Sequence, residues 1–367
     1  MNRKNLRIAA PAAILALGLA LSACGAGNED SSSDAGSPAS GDSVSGTLNG
    51  AGSSAQEAAV AAWKAQFQTA NPDATVNYDP VGSGGGREQF IAGGVQFAGS
   101  DAYLEDEELT GAKEKCGSDI VEVPTYVSPI AVVYNLDGVD DLNLSASTIG
   151  AIFEGTITKW NDDAIAADNP DADLPDTTIT AVHRSDDSGT TKNFTNYLEA
   201  ASEGGWTQGE VETWPLKGGE GAEGTSGVIS AVSGGDGTIG YADESQAGEL
   251  GKANVKVGEE YVAPTPEAAA KVLDTAAPVE GRDATDIAVD IDRTTTEAGV
   301  YPIVLASYQI ACATYDDAAT ADLVKGWLTY VTSTEGQDAA AEAAGSAPLS
   351  GDFATKVQAA VETIAAA

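Results

Sequence analysis

Two long β-rich runs far apart in the chain constrain its fold most. "IVEVPTYVSPIAVVYN", residues 120–135, is interrupted by Pro124 and Pro129, and "GVYPIVLASYQIACATY", residues 299–315, carries Pro302. Runs of this kind suit segments that pass from one domain to another. Elsewhere, short β-rich stretches alternate with helical ones, the pattern of an α/β fold. "SGTLNGAG" and "ATVNYDPV" read as strands. "SSAQEAAVAAWKAQFQTA" reads as a helix, with Val60, Trp63 and Phe67 on one face and Ser54 and Glu57 as its capping box. "TITAVHRSD" is a strand, "SGTTKNFTNYLEAA" a helix, and "AATADLVKGWLTYVTSTEGQDAAAEAA" a continuous helical pattern.

The first residues stand outside this pattern. "MNRKNLRIAAPAAILALGLALSAC" has a basic start, an apolar run too short for a membrane span, and small residues before Cys24, which is the form of a secretory signal. Leu21-Ser22-Ala23-Cys24 resembles the bacterial lipobox, which implies cleavage after residue 23 and lipidation of Cys24; the alternative is ordinary cleavage with Cys24 free. Residues 24–44, rich in Gly, Ser, Asp and Ala, then form a flexible tether. The expectation is an exported protein held by its N-terminal lipid on the outer face of the cell membrane, with no other membrane contact.

About 320 residues remain, which predicts two domains. Outside the cytoplasm, Cys116 and Cys312 most simply pair, closing a loop worth about 5 kcal/mol in the chain-entropy model; two separate buried thiols are the alternative. The 56 acidic and 18 basic residues give a net charge of −38 and argue against nucleic acid and anionic membrane as partners. A small anion is not excluded, because a buried anion is held by local donors.

Most enzyme readings fail. A single histidine, His183, excludes the usual His-rich zinc sites, and neither a G-x-S-x-G elbow nor a P-loop is present. On an alternating strand His183 and Arg184 point opposite ways, which leaves the histidine a structural or surface role. What recurs is a glycine and a hydroxyl residue in a turn between strand and helix: Gly52-Ser53-Ser54, Gly82-Ser83-Gly84 and Ser188-Gly189-Thr190. Helix N-termini present unpaired N–H groups and the positive end of the dipole. Three such turns, with Arg184 close to one of them, point to an oxyanion site.

"GAGSSA", "VNYDPVGSGGG", "FAGSDAYL", "ITKWNDDAI" and "HRSDDSGT" stand in the order and spacing of the phosphate-binding protein of the bacterial high-affinity phosphate ABC transporter, which the chain resembles over nearly its whole length after the tether. The resemblance implies a two-lobed periplasmic-binding-protein-like α/β fold of type II, with two crossing strands as hinge and the ligand in the interlobe cleft. Residues 45–128 and 304–367 would form lobe I and residues 129–303 lobe II, with crossings near Tyr126–Tyr134 and Tyr301–Ser307.

Ser54, Ala55, Ser83, Asp101, Arg184, Ser188, Gly189 and Thr190 match the family's phosphate ligands, with Gly84, Gly85 and Asp186 in support. Ser54-Ala55-Gln56 replaces the family's Thr-Phe-Pro, and Asp187 stands where the family often has glycine. The function implied is a monomeric receptor that needs no cofactor or metal and delivers inorganic phosphate to a transmembrane permease. A receptor for another tetrahedral oxyanion such as sulfate, and a secreted phosphate-ester hydrolase, are the alternatives. Phosphate near neutral pH keeps a proton that an Asp101 carboxylate can accept, whereas sulfate would bring a bare oxygen against it.

Overall fold

A computed structural model of the chain describes residues 43–273 and 276–367. The expected signal, Cys24 and nearly all of the tether lie outside the described residues. In chain order the first elements are β1 (Gly46–Gly52), α1 (Glu57–Ala70), β2 (Ala74–Asp79), α2 (Ser83–Ile91), β3 (Phe97–Ser100), α3 (Asp106–Cys116) and β4 (Ile120–Asn135). They are followed by β5 (Asn143–Leu144), α4 (Ala146–Phe153), α5 (Asp163–Asp168), β6 (Thr180–Arg184), α6 (Gly189–Ala201), β7 (Glu220–Ala222), α7 (Gly224–Ser233) and β8 (Thr238–Asp243). A later strand, Val304–Cys312, returns the chain to the first lobe's sheet before three C-terminal helices.

The main sheet runs β2, β1, β3, Val304–Cys312, β4, β8, β6, β7. β4 changes partner midway: Ile120–Pro129 lies antiparallel to Val304–Cys312, and Ile130–Asn135 antiparallel to β8. Its two prolines sit where the ladder can spare an N–H. Pro124 faces Tyr308 at a register shift that leaves Thr125 unopposed, and Pro129 faces Val304 at the partner change. The result is a two-lobed α/β fold of the periplasmic-binding-protein kind, with β4 passing between the lobes and the chain crossing back just before the returning strand.

Each lobe has its own aromatic core. Trp63 and Phe67 of α1 meet Trp327 of the helix Ala318–Thr332 edge-on, with ring centroids 6.5 and 5.4 Å away. In the other lobe Phe194 of α6 stacks on Tyr241 of β8 at 4.3 Å, and Phe153 of α4 approaches Phe194 edge-on at 4.9 Å. The Cys116–Cys312 disulfide is formed, with Cα atoms 5.4 Å apart, and joins the end of α3 to the end of the returning strand.

Two local expectations need correction. The N-cap of α1 is Gln56, with no side-chain cap bond, because the Ser54 hydroxyl expected to cap it bonds Thr225 instead. The continuous C-terminal helical pattern is broken at Ser333, whose extended backbone and hydroxyl cap a separate helix, Thr334–Ala344.

Candidate functional site

The ligand residues singled out from the sequence lie at the C-terminal end of a strand, in the turn that follows it, or in the first turn of a helix. β1 ends at Gly52, where φ is +145° and a Cβ would stand 1.9 Å from Gly99 O, so only glycine fits. Ser53, Ser54 and Ala55 follow and are buried. The Ala55 N–H donates to Ser53 Oγ at 3.1 Å. Ser54 reaches the other lobe: its Oγ accepts from Thr225 N at 3.0 Å and is 3.0 Å from Thr225 Oγ1. Ser83 opens α2, and its Oγ accepts from Asp101 N at 3.1 Å. Gly84 N–H donates across the cleft to Asp187 O at 3.2 Å, whereas Gly85 turns back toward Val81 of its own lobe.

Asp101 follows β3 and is 3 % exposed. Its Oδ1 accepts from Ser307 Oγ at 2.5 Å, its Oδ2 from Thr190 Oγ1 at 3.1 Å, and its backbone oxygen from Asn193 Nδ2 at 2.6 Å. Burial pushes its pKa above the ordinary carboxylate value, and the Ser307 and Ser53 hydroxyls, the Arg184 charge and Thr190 pull it only part of the way back.

From the second lobe, β6 ends at the buried Arg184. Its Nε donates to Asp186 Oδ1 at 2.8 Å, its Nη2 to Asp186 Oδ2, and its Nη1 lies 3.5 Å from Thr190 Oγ1. Asp186 thus holds one edge of the guanidinium and leaves the other turned toward Thr190 and Asp101. Burial alone would raise the pKa of Asp186; the bonds and charge of Arg184, with the Gly224 N–H at 3.1 Å, outweigh that and hold it below the ordinary value. Ser188 caps α6, its Oγ accepting from Thr191 N at 3.1 Å. At Gly189 the lobes nearly touch, since a Cβ there would lie 2.6 Å from Ser83 Oγ and 2.8 Å from Asp101 Cβ.

Ser54, Ser83, Asp101, Arg184, Asp186, Ser188, Gly189 and Thr190 therefore converge from both lobes on one place. The set offers neutral hydroxyl donors, two helix N-termini, one guanidinium partly neutralised by its own aspartate, and one carboxylate. Those are the means of holding a tetrahedral oxyanion that carries a proton. His183 is outside the set: its ring stacks on Trp214 with centroids 4.6 Å apart, and its Nδ1 lies 2.9 Å from Arg184 O. Asp187 is exposed and takes a hydrogen bond from the Thr213 hydroxyl.

Sequence reasoning missed Thr225 and Ser307, and it placed Ser53 in the first turn without giving it a role. Thr225 had a signal: Gly224-Thr225 follows β7 and opens α7, the same glycine and hydroxyl turn as the other three. Ser307 had none, standing with Gln309 as a buried polar residue inside a mostly apolar strand. Gln56, at the place of the family's proline, is fully buried and donates through Nε2 to Ser307 Oγ and, at 3.0 Å, to Tyr308 O.

Comparison with known proteins identifies the family. Residues 37–335 match the family model of the PBP superfamily domain. The phosphate-binding protein PstS2 of Mycobacterium bovis is 39 % identical over 98 % of this chain and 100 % of its own. The phosphate-binding protein PstS 3 of Mycobacterium tuberculosis is 37 % identical over 98 % of this chain and 99 % of its own. Among solved structures, the phosphate binding protein of Stenotrophomonas maltophilia shares the fold with a TM-score of 0.66 at 21 % identity, over 86 % of this chain and 94 % of its own. The chain belongs to the PBP superfamily and, within it, to the family of phosphate-binding proteins PstS.

Proposed function

We propose that this chain is an extracytoplasmic receptor that closes on inorganic phosphate and passes it to the permease of an ABC transporter. The observation that carries the reading is the meeting of Asp101, Ser83 and Ser54 from one lobe with Arg184 and the N-terminus of α6 from the other. Ser54, Ser83, Arg184, Ser188, Gly189 and Thr190 supply donors, joined by Ala55, whose N–H here bonds Ser53 Oγ, and Asp101 accepts a hydrogen bond from the ligand's hydroxyl. Asp186 orients Arg184, Gly84 lets α2 approach Asp187 of the other lobe, and Gly85 supports the turn by packing on Val81. Family membership supports the same ligand, as relatives of nearly equal length are named phosphate-binding proteins.

Residues 45–128 with 304–367, and 129–303, are the two lobes of this reading, and the change of partner at Pro129 and Ile130 supports that division. Contacts across the cleft, Ser54 with Thr225 and Thr190 with Asp101, make the structure a closed form. The protein acts as a monomer without cofactor, held to the membrane through lipidated Cys24 after loss of residues 1–23. It binds rather than turns over its ligand. The test is titration with phosphate beside an assay on a phosphate ester: one phosphate bound per chain with no ester turnover is expected. No phosphate binding, or steady ester hydrolysis, would overturn the reading.

A further inference from the structure

A buried ion pair between the lobes has no part in the ligand set. Arg87 projects from α2 and is 3 % exposed. Its Nη1 and Nη2 donate to Oε1 and Oε2 of Glu212 at 3.0 and 2.7 Å, the two parallel bonds of a bidentate pair. Glu212 belongs to the opposite lobe, in the segment between α6 and β7. The same guanidinium bonds Ser100 Oγ through Nη1 at 2.9 Å and Glu108 Oε1 through Nε at 2.8 Å, both within its own lobe.

Both partners are rooted in the anion site. Ser100 immediately precedes Asp101, and its hydroxyl donates to Ala102 O, so Arg87 braces the turn that carries the selective carboxylate. On the other side, Glu212 O accepts from Ser188 N at 3.2 Å, and Val211 N donates to Thr195 Oγ1 at 2.9 Å, fixing the segment to the first turns of α6. The pair therefore joins the two halves of the site by a route that bypasses the ligand.

We propose that Arg87 and Glu212 are positioning residues forming a latch that holds the closed lobes and slows release of the anion; the proposal rests on the receptor reading above. Its force comes from the difference between two states. When the lobes part, Arg87 keeps Glu108 and Ser100 while Glu212, with 21 % of its side chain exposed even in the closed form, returns to water. Closure alone adds the bidentate pair, so the pair weights the closed population and the apparent affinity with it. Truncating a desolvated charge pair acts chiefly on the dissociation rate.

The test is a double-mutant cycle on the full chain in detergent, using Glu212→Gln, Arg87→Gln and the double variant, with inorganic phosphate as the probe. Stopped-flow release is expected to quicken about 30-fold in Glu212→Gln, with little change in association and an unchanged preference for phosphate over sulfate. The double variant should release no faster than the worse single one, because the pair is lost once. Small-angle scattering should show Glu212→Gln more open than wild type at equal subsaturating phosphate. Should Arg87→Gln fail to fold, release and scattering of the near-isosteric Glu212→Gln decide alone. Wild-type binding with an unchanged release rate in Glu212→Gln, or additive single effects, overturns the latch and leaves the receptor reading standing. A wild type that binds no phosphate overturns the receptor reading and the latch with it.

Discussion

Buried carboxylates are where, on the receptor reading, single residues bear on both ligand choice and stability. Asp101 has its carboxylate placed by Ser307 and Thr190, so its remaining acceptor capacity meets a ligand hydroxyl well and a bare ligand oxygen badly. Asp243, at the end of β8, is fully buried and bonded by Tyr126 OH at 2.9 Å and by Ser245. Burial raises it from 3.8 to about 7, against the opposing bonds of Ser245, Tyr126 and Ser128. A carboxyl whose folded pKa is raised gives stability that is complete below its unfolded value and lost as pH rises through the folded one. Between pH 4 and pH 7 this group alone withdraws on the order of 4 kcal/mol. Asp243→Asn should therefore flatten the fall of melting temperature across that range, measured on the phosphate-free protein; an unchanged slope would refute the assignment to Asp243.

Among the elements, the strand-to-helix turns were legible because their chemistry is local. Glycine, a hydroxyl and a helix start fall within three residues at Gly82-Ser83-Gly84 and Ser188-Gly189-Thr190, and Gly52-Ser53-Ser54 stands just ahead of the cap of α1 at Gln56. The partners of those turns were not legible. Ser54 reads as a cap for α1, and only the tertiary fold brings Thr225, 171 residues later, to claim its hydroxyl. Ser307 is aimed at Asp101 by sheet register and by the bulge at Thr125, which no short pattern encodes. The approach of α6 to the opposite lobe at Gly189 gives a direct test. In Gly189→Ala the new methyl would meet Ser83 Oγ and the Asp101 side chain, while alanine within a helix is itself favoured by roughly 0.5–1 kcal/mol. Phosphate affinity should fall at least about 10-fold while the melting temperature without phosphate is kept. Unchanged affinity would mean that ligand binding does not need the lobes this close.

At the scale of the whole molecule, the two proline-interrupted runs carried the architecture. They are the runs in which the chain passes between the lobes, and the Cys116–Cys312 bridge ties the end of one lobe's helix α3 to the second of them. The net charge of −38 does not conflict with an anion site, since its donors are mostly neutral hydroxyls and helix N–H groups, and Arg184 is half neutralised by Asp186. On the proposed reading, selection then rests on a proton rather than on charge. The most direct measurement is calorimetric titration of the full chain with phosphate and with sulfate across neutral pH, for wild type and for Asp101→Asn. Wild type should bind phosphate and prefer it to sulfate by more than about 100-fold, and Asp101→Asn should lose most of that preference. Equal affinity of wild type for the two anions, or an Asp101→Asn variant as selective as wild type, would contradict the account.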